Sequence, residues 1–240
     1  MTTYEARLVG REEIAEGTMA FHFEKPAGFS FKAGQEMDVE LIDPPGTDTQ
    51  SARHTFSIVS APFQGELVVA TRMRDSAFKR ALKSLPIGSP AKLEGPFGSL
   101  TLHHDRTRAA IFIAGGIGIT PFKSILRQAA KDQLPQSLLL LYSNRRPEDA
   151  AFLAELQLLE QQNKNFRLFA TMTEMNISAR KWDGATGFVN ADMVKQRVGE
   201  LAAPICYVVG PPAMVEAMQD VLSRAGVAED NIRTEEFYGY

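Results

Sequence analysis

The stretch from Ala109 to Ala130, AAIFIAGGIGITPFKSILRQAA, constrains the fold more than any other part of the 240 residues. Six apolar residues lead directly into Gly115, Gly116 and Gly118, and then into Phe122, Ile125, Leu126 and Ala129 at spacings of three and four. That is a buried strand, a tight turn and an amphipathic helix. Glycines let a backbone turn sharply and come close to a pyrophosphate, while the helix N-terminus behind them offers free N–H groups and partial positive charge. Thr120 suits the N-cap and Pro121 the first helical position. Gly115, Gly116, Gly118, Thr120 and Pro121 are therefore candidate cofactor-binding residues. A common dinucleotide fingerprint has glycine where Pro121 stands, so this is a different phosphate or nicotinamide turn.

The same texture continues along the C-terminal half. Buried strands at Ser137 to Tyr142, Phe166 to Thr171 and Ile205 to Val209 alternate with helical stretches at Glu148 to Gln162 and Ala213 to Ala225. The expectation is a doubly wound parallel sheet with helices on both faces, over residues 106–240. Ligands of such sheets bind outside the carboxyl ends of the strands, where the turn at Gly210 and Pro211 would join the Gly115 turn in outlining a cleft. The first 105 residues differ: apolar runs at Met19 to Phe23 and Met37 to Ile42 are broken by proline and glycine. They read as an antiparallel β-barrel, with residues 43–52 an exposed loop and one helix marked by Ala77, Phe78, Ala81, Leu82 and Leu85.

Composition narrows the chemistry. With 26 basic and 29 acidic residues and no block of like charge, neither nucleic acid nor a membrane surface is implied. No run approaches the ~18 apolar residues of a membrane span, and the opening MTTYEARLVGREE lacks the pattern of a secretory signal, so a cytoplasmic protein is expected. The single cysteine, Cys206, allows no internal disulfide and no thiolate set for an iron–sulfur cluster or zinc. Redox chemistry would need a bound organic cofactor. His103 and His104 stand in a linker without further ligands at metal spacing and read as solvated, and no metal site is expected.

In the barrel, Arg53, His54, Thr55, Phe56 and Ser57 combine cation, aromatic ring and hydroxyls on one extended segment, suiting a planar cofactor with a phosphate tail. Asp75 and Ser76 cap the following helix, with Ala77, Phe78, Lys79 and Arg80 in its first turn. Cations favour helix C-termini, so Lys79 and Arg80 here fit an anion better than they fit helix stability.

Taken in order, these segments resemble the ferredoxin–NADP reductase family over nearly the whole chain: a flavin-binding antiparallel barrel followed by a nicotinamide-binding α/β domain. Phe56 and Ser57 match the end of its flavin motif, Arg, any residue, Tyr or Phe, Ser or Thr. The resemblance implies that Phe56 flanks the flavin ring and that the Ser57 hydroxyl lies near flavin N5. The arginine stands one residue too early, so either Arg53 reaches the flavin phosphate through a bulge or His54 and Thr55 share that task. Ser76, Ala77, Phe78 and Lys79 correspond to its flavin diphosphate segment. Gly115 through Pro121 is similar to its nicotinamide turn, with Thr120 facing the nicotinamide. Val209 through Met214 is similar to its second turn, with Val209 in place of a cysteine. Glu235, Glu236 and Phe237 resemble the ending in which a carboxylate joins the active-site network and a ring covers the flavin, a part that Tyr240 is also placed to play.

The resemblance implies FAD as cofactor, NADH or NADPH as cosubstrate, and Ser57, Glu235 and Phe237 as catalytic residues. The function implied is an NAD(P)H-dependent flavoprotein oxidoreductase passing electrons to a ferredoxin-like, flavodoxin-like or oxygenase-component protein or to a small molecule. No arginine follows the strand ending in Ala170 to Glu174, which points to NADH; Arg145 and Arg146 are the cations otherwise within reach of a 2′-phosphate. A redox sensor or electron-transfer subunit without turnover shares the same motifs, and a barrel binding some other ligand would leave the protein colourless.

Overall fold

The computed structural model describes residues 2–42, 52–198 and 203–238. Tyr240 and most of the expected loop, residues 43–51, lie outside them. Strands β1 (Thr3–Ala15), β2 (Thr18–Glu24), β3 (Glu36–Leu41), β4 (Arg53–Ser57), β5 (Glu66–Arg72) and β6 (Pro90–Phe97) form an antiparallel sheet in the order β4-β3-β6-β1-β2-β5. Beyond β4, the Val59 N–H donates to the Val68 carbonyl of β5 at 2.8 Å, curling the sheet toward a barrel. Period-two alternation makes the two faces: in β3, Met37, Val39 and Leu41 are buried, while Glu36, Asp38 and Glu40 point the other way. Helix α1 (Ala77–Ser84) packs Phe78, Ala81 and Leu82 into the same core as Phe21, Phe23 and Phe56. The 13-residue β1 was not legible as a strand because its side chains are largely polar; pairing with both β2 and β6 holds it in place.

The second half is a parallel sheet of β7 (Ala110–Gly115), β8 (Leu138–Asn144), β9 (Phe166–Met172), β10 (Ala185–Thr186), β11 (Ile205–Gly210) and β12 (Ile232–Glu236), ordered β10-β9-β8-β7-β11-β12. Helices α2 (Ile119–Lys131) and α3 (Leu153–Gln162) cover one face together with the barrel. Helices α4 (Ala191–Val198) and α5 (Pro212–Arg224) cover the other. Strand order reverses between β7 and β11, which opens a crevice at their carboxyl ends. The two halves meet over apolar contacts of Ala20, Val59 and Val68 with the face carrying Phe122 and Ile125, and the Ser124 hydroxyl donates to the Ser60 carbonyl at 2.7 Å.

Four expectations need correction. Helix α2 does not start at Thr120: a 3₁₀ turn over Gly116–Gly118 winds straight into it, and the Thr120 hydroxyl donates to the Ile117 carbonyl at 3.1 Å instead of capping. The helix expected from Glu148 begins only at Leu153, because Phe152 takes a left-handed conformation, φ 60°. Helix α1 is capped by Ser76 alone, whose oxygen accepts from the Lys79 N–H at 3.2 Å, while Asp75 pairs with Arg80. His103 is not solvated. It is buried, with Nδ1 2.9 Å from the Tyr207 hydroxyl and Nε2 2.6 Å from the Gln136 amide.

Candidate active site

Two clefts open along the line where barrel and parallel sheet meet. The larger, about 910 Å³, is walled by His54, Phe56 and Ser57 of β4, Lys79 of α1, Glu36 of β3 and the segment from Arg233 to Tyr238 around β12. Ser57 carries its clearest chemical mark: a buried hydroxyl oxygen with no hydrogen-bond partner among the described residues. A buried polar group left unpaired costs about 1–3 kcal/mol, so such a group in a cleft wall is explained by a ligand that pairs it. The His54 ring stacks on Phe56 at 4.7 Å and 21°, and its Nδ1 is 2.8 Å from the Thr55 carbonyl. Lys79 is largely buried at the first turn of α1, and burial, then the Arg74 charge, lowers its pKa. An anion at that point would remove both penalties.

At the far wall, Phe237 follows β12 and is held by its N–H donating to the Gly210 carbonyl at 3.0 Å. Glu235 sits beside Val209 in the β11–β12 pairing, and burial, then the charge of Glu36, pushes its carboxyl up to about 7. Arg233 reaches from the cleft to the Tyr207 hydroxyl at 3.2 Å and the Thr101 carbonyl at 3.3 Å, tying β12 to the connection between the halves.

The smaller cleft, about 620 Å³, lies over the crevice between β7 and β11 and is bounded by Gly115, Gly116, Pro211, Met214 and Asn144. Its glycines are dictated by contact at one position and by backbone conformation at another. A Cβ on Gly118 would stand 2.4 Å from the Val209 carbonyl oxygen, and Gly116 has φ +53°. Asn144, buried at the end of β8, lies beside the Tyr142 hydroxyl, yet neither its oxygen nor its nitrogen makes a hydrogen bond of normal geometry among the described residues. On the barrel side Arg72 and Arg74 complete the wall. Arg72, Arg145 and Arg146 all converge on the Asp149 carboxylate, at 3.2, 3.3 and 3.0 Å. Ile117 lines both clefts and so stands between them.

Residues 112–220 match the sequence family described as the oxidoreductase NAD-binding domain. The chain is 28% identical to ferredoxin–NADP reductase B of Sorangium cellulosum, over 98% of this chain and 97% of that protein. Over nearly its whole length the chain is similar to ferredoxin–NADP reductase-like proteins. It is also 33% identical to NADH-cytochrome b5 reductase 1 of Mortierella alpina, over 63% of this chain and 51% of that one. Its fold matches a ferredoxin–NADP⁺ reductase from Neisseria gonorrhoeae with bound FAD and NADP, at a TM-score of 0.80 and 22% identity, over 98% of each chain. Several other curated relatives are longer, and the chain spans about half the length of these.

Set against the motifs of this ferredoxin–NADP reductase-like chain, the larger cleft gathers His54, Thr55, Phe56, Ser57, Lys79, Thr120, Glu235 and Phe237. Arg53 is elsewhere: it pairs with Asp38 and with Glu94, the latter at 2.7 Å, on the β3–β6 face. Phe78 belongs to the barrel core beside His54 and Phe56, Ser76 serves as helix cap, and Ala77 opens that helix. Gly115, Gly116 and Pro211 line the smaller cleft; Gly118 and Gly210 form the seam between the two turns, and Pro121 is buried in α2. Cys206 is buried, with its thiol pushed up to about 12, and Trp182 closes over Gly184 and donates to the Ala185 carbonyl. Glu36, Arg233, Asn144, Arg72, Arg74 and Asp149 were not singled out from sequence. Among them only Asn144 carried a signal, a polar residue ending an apolar strand at the edge where ligands bind.

Proposed function

We propose that the protein is an NAD(P)H-dependent flavoprotein oxidoreductase that takes a hydride onto FAD and passes electrons on to an acceptor. The observation that carries this reading is the unpaired Ser57 hydroxyl in the wall of the larger cleft, with a second cleft on the other side of Ile117. The residues fit FAD. His54, Lys79 and the N-terminus of α1 would hold its phosphates, Phe56 would flank the ring, and Ser57 would hydrogen-bond it. When bound, FAD supplies the step from a two-electron donor to one-electron acceptors.

The chain's own part is positional. Gly115, Gly116, Pro211 and Asn144 would seat the nicotinamide nucleotide, with Ile117 between the clefts and Thr120 in the wall of the larger one. Orienting the two partners and excluding water provides most of the acceleration. Phe237 would cover the flavin face and has to yield before a nicotinamide can stack there. Division into a flavin unit, residues 1–105, and a nucleotide unit, 106–240, belongs to this reading. So does a cytoplasmic location; no helix among the described residues is long and apolar enough to cross a membrane. Names of relatives support a small redox protein as acceptor, a ferredoxin or a cytochrome b5 among them.

The test is the visible spectrum of purified protein under anaerobic conditions, before and after NADH and then NADPH. Flavin bands that bleach within seconds are expected. A colourless protein that cannot be reconstituted with FAD would overturn the reading, and bands that persist with both nucleotides would leave a flavin binder without turnover.

A further inference from the structure

We infer that Glu36 is a further working residue of the larger cleft, forming with Glu235 a carboxylate pair that takes up and releases one proton beside the Ser57 hydroxyl. This rests on the flavin reading above. Three observations carry it. First, Glu36 and Ser57 are directly opposite residues in the antiparallel β3–β4 pairing, so their side chains leave the same face of the sheet about 5 Å apart at Cβ. Second, Glu36, Ser57 and Glu235 line one cleft, although they come from β3, β4 and β12. Third, Glu36 is the exception on its own face. Asp38 and Glu94 are neutralised by Arg53, and Glu40 by Lys92 at 3.1 Å, whereas Glu36 has neither an ion pair nor a hydrogen bond to its carboxylate among the described residues.

Two half-buried carboxylates lining one cleft, neither in an ion pair among the described residues, favour sharing a proton, since both cannot ionise freely. Burial, then the Asp38 charge, raises Glu36, and Glu235 is raised by burial and by Glu36. The other charged or titratable groups around the cleft are His54 on β4, Lys79 on α1, and Arg233, Glu236 and Tyr238 on and after β12. Arg233 is directed to Tyr207 and Thr101, and Glu236 accepts from the Tyr238 hydroxyl, so neither is committed to the pair.

The pair has a task in the proposed reaction. Bound FAD would supply the exchange of one hydride for two single electrons, and that exchange leaves one proton for a base of the protein to take up. The Ser57 hydroxyl can pass that proton on, and a carboxylate oxygen of the pair forms the new O–H bond. Glu36 acts through Glu235 as a positioning residue: its negative charge sets how readily Glu235 accepts.

The test uses the FAD-loaded protein labelled with ¹³C at glutamate carboxyl carbons, titrated by NMR, together with the pH profile of NAD(P)H-driven ferricyanide reduction. In the unaltered protein a glutamate carboxyl, absent in Glu235→Gln, should titrate near pH 7, and turnover should fall as pH drops through that value, where the base is already protonated. Glu36→Gln should lower both midpoints by about one pH unit, because a like charge has been removed. Glu36→Asp, which keeps the charge, should bring them back. Midpoints that stay in place in Glu36→Gln would overturn the inference. A protein that binds no FAD would instead fail the flavin reading, and the Glu235 titration of the same sample, with and without Glu36, would still decide whether the two carboxylates are coupled.

Discussion

The two clefts are built by opposite means. The nucleotide-side cleft is shaped mainly by backbone: two turns, after β7 and β11, touch so closely that Gly118 leaves no room for a Cβ against Val209. The flavin-side cleft is made of side chains, one each from β3 and α1 and four each from β4 and β12, around the unpaired hydroxyl of Ser57. A backbone-made site tolerates almost no added atom, whereas a side-chain-made site should lose function residue by residue while the fold persists.

The sharpest way to break that contrast is Gly118→Ala. The clash is with backbone atoms, which no rotamer change relieves, so a loss of about 3 kcal/mol and of nucleotide-dependent reduction is expected, read by thermal melts and stopped-flow. Asp149→Asn comes next. Its carboxylate is 3% exposed under three arginines, but Arg145 stays half-exposed, so the cost should be about 2 kcal/mol, below the range for fully buried pairs. The pH dependence tests the same point. Burial raises the Asp149 carboxyl while Arg146, Arg145 and Arg72 lower it, and the net is downward. A depressed folded-state value contributes stability at pH above the ordinary carboxylate range and loses it as pH falls through that lower value; melts of Asp149→Asn should lack this acid-side loss.

On the flavin side the expected effects are smaller. His54→Ala should weaken FAD binding about tenfold with little change in melting of the FAD-free protein, measured by fluorescence titration. Gly116→Ala is the informative counterpart to Gly118: its Cβ would meet nothing within 4 Å, so only the φ of +53° is strained, about 1 kcal/mol. Smallest of all, Arg53→Gln should leave FAD affinity within about twofold of the original, since its partners are Asp38 and Glu94. A large loss there would mean that the arginine reaches the cofactor after all.

The same contrast explains what the sequence made legible. A backbone-made turn is contiguous, so Gly115 to Gly118 announced it, and the apolar runs of β7, β8 and β11 announced the parallel sheet around it. A side-chain-made cleft is scattered. Glu36 is one of three acidic residues alternating along β3, and nothing in the string separates it from Asp38 and Glu40, whose cations arrive from other strands. Arg53 illustrates the same difficulty on one strand: it lies three residues from Phe56, so period two puts the two on opposite faces, while His54 shares the face of Phe56. Strand β12, IRTEE, has almost no apolar pattern and exists because β11 offers it an edge.

The joint between the halves combines two kinds of contact that answer differently to dissolved salt. Ala20, Val59, Val68, Phe122 and Ile125 form a dry seam, while Arg72 with Asp149 and Arg146 with Glu16 form a partly wetted ionic clasp beside the nucleotide cleft. Sulfate tightens apolar contacts by its exclusion from protein surfaces, and any electrolyte screens exposed charges. Sodium sulfate should therefore firm the seam as it slackens the clasp, and sodium chloride should act chiefly on the clasp, so the choice of anion in the buffer becomes a handle on how the two halves are held together.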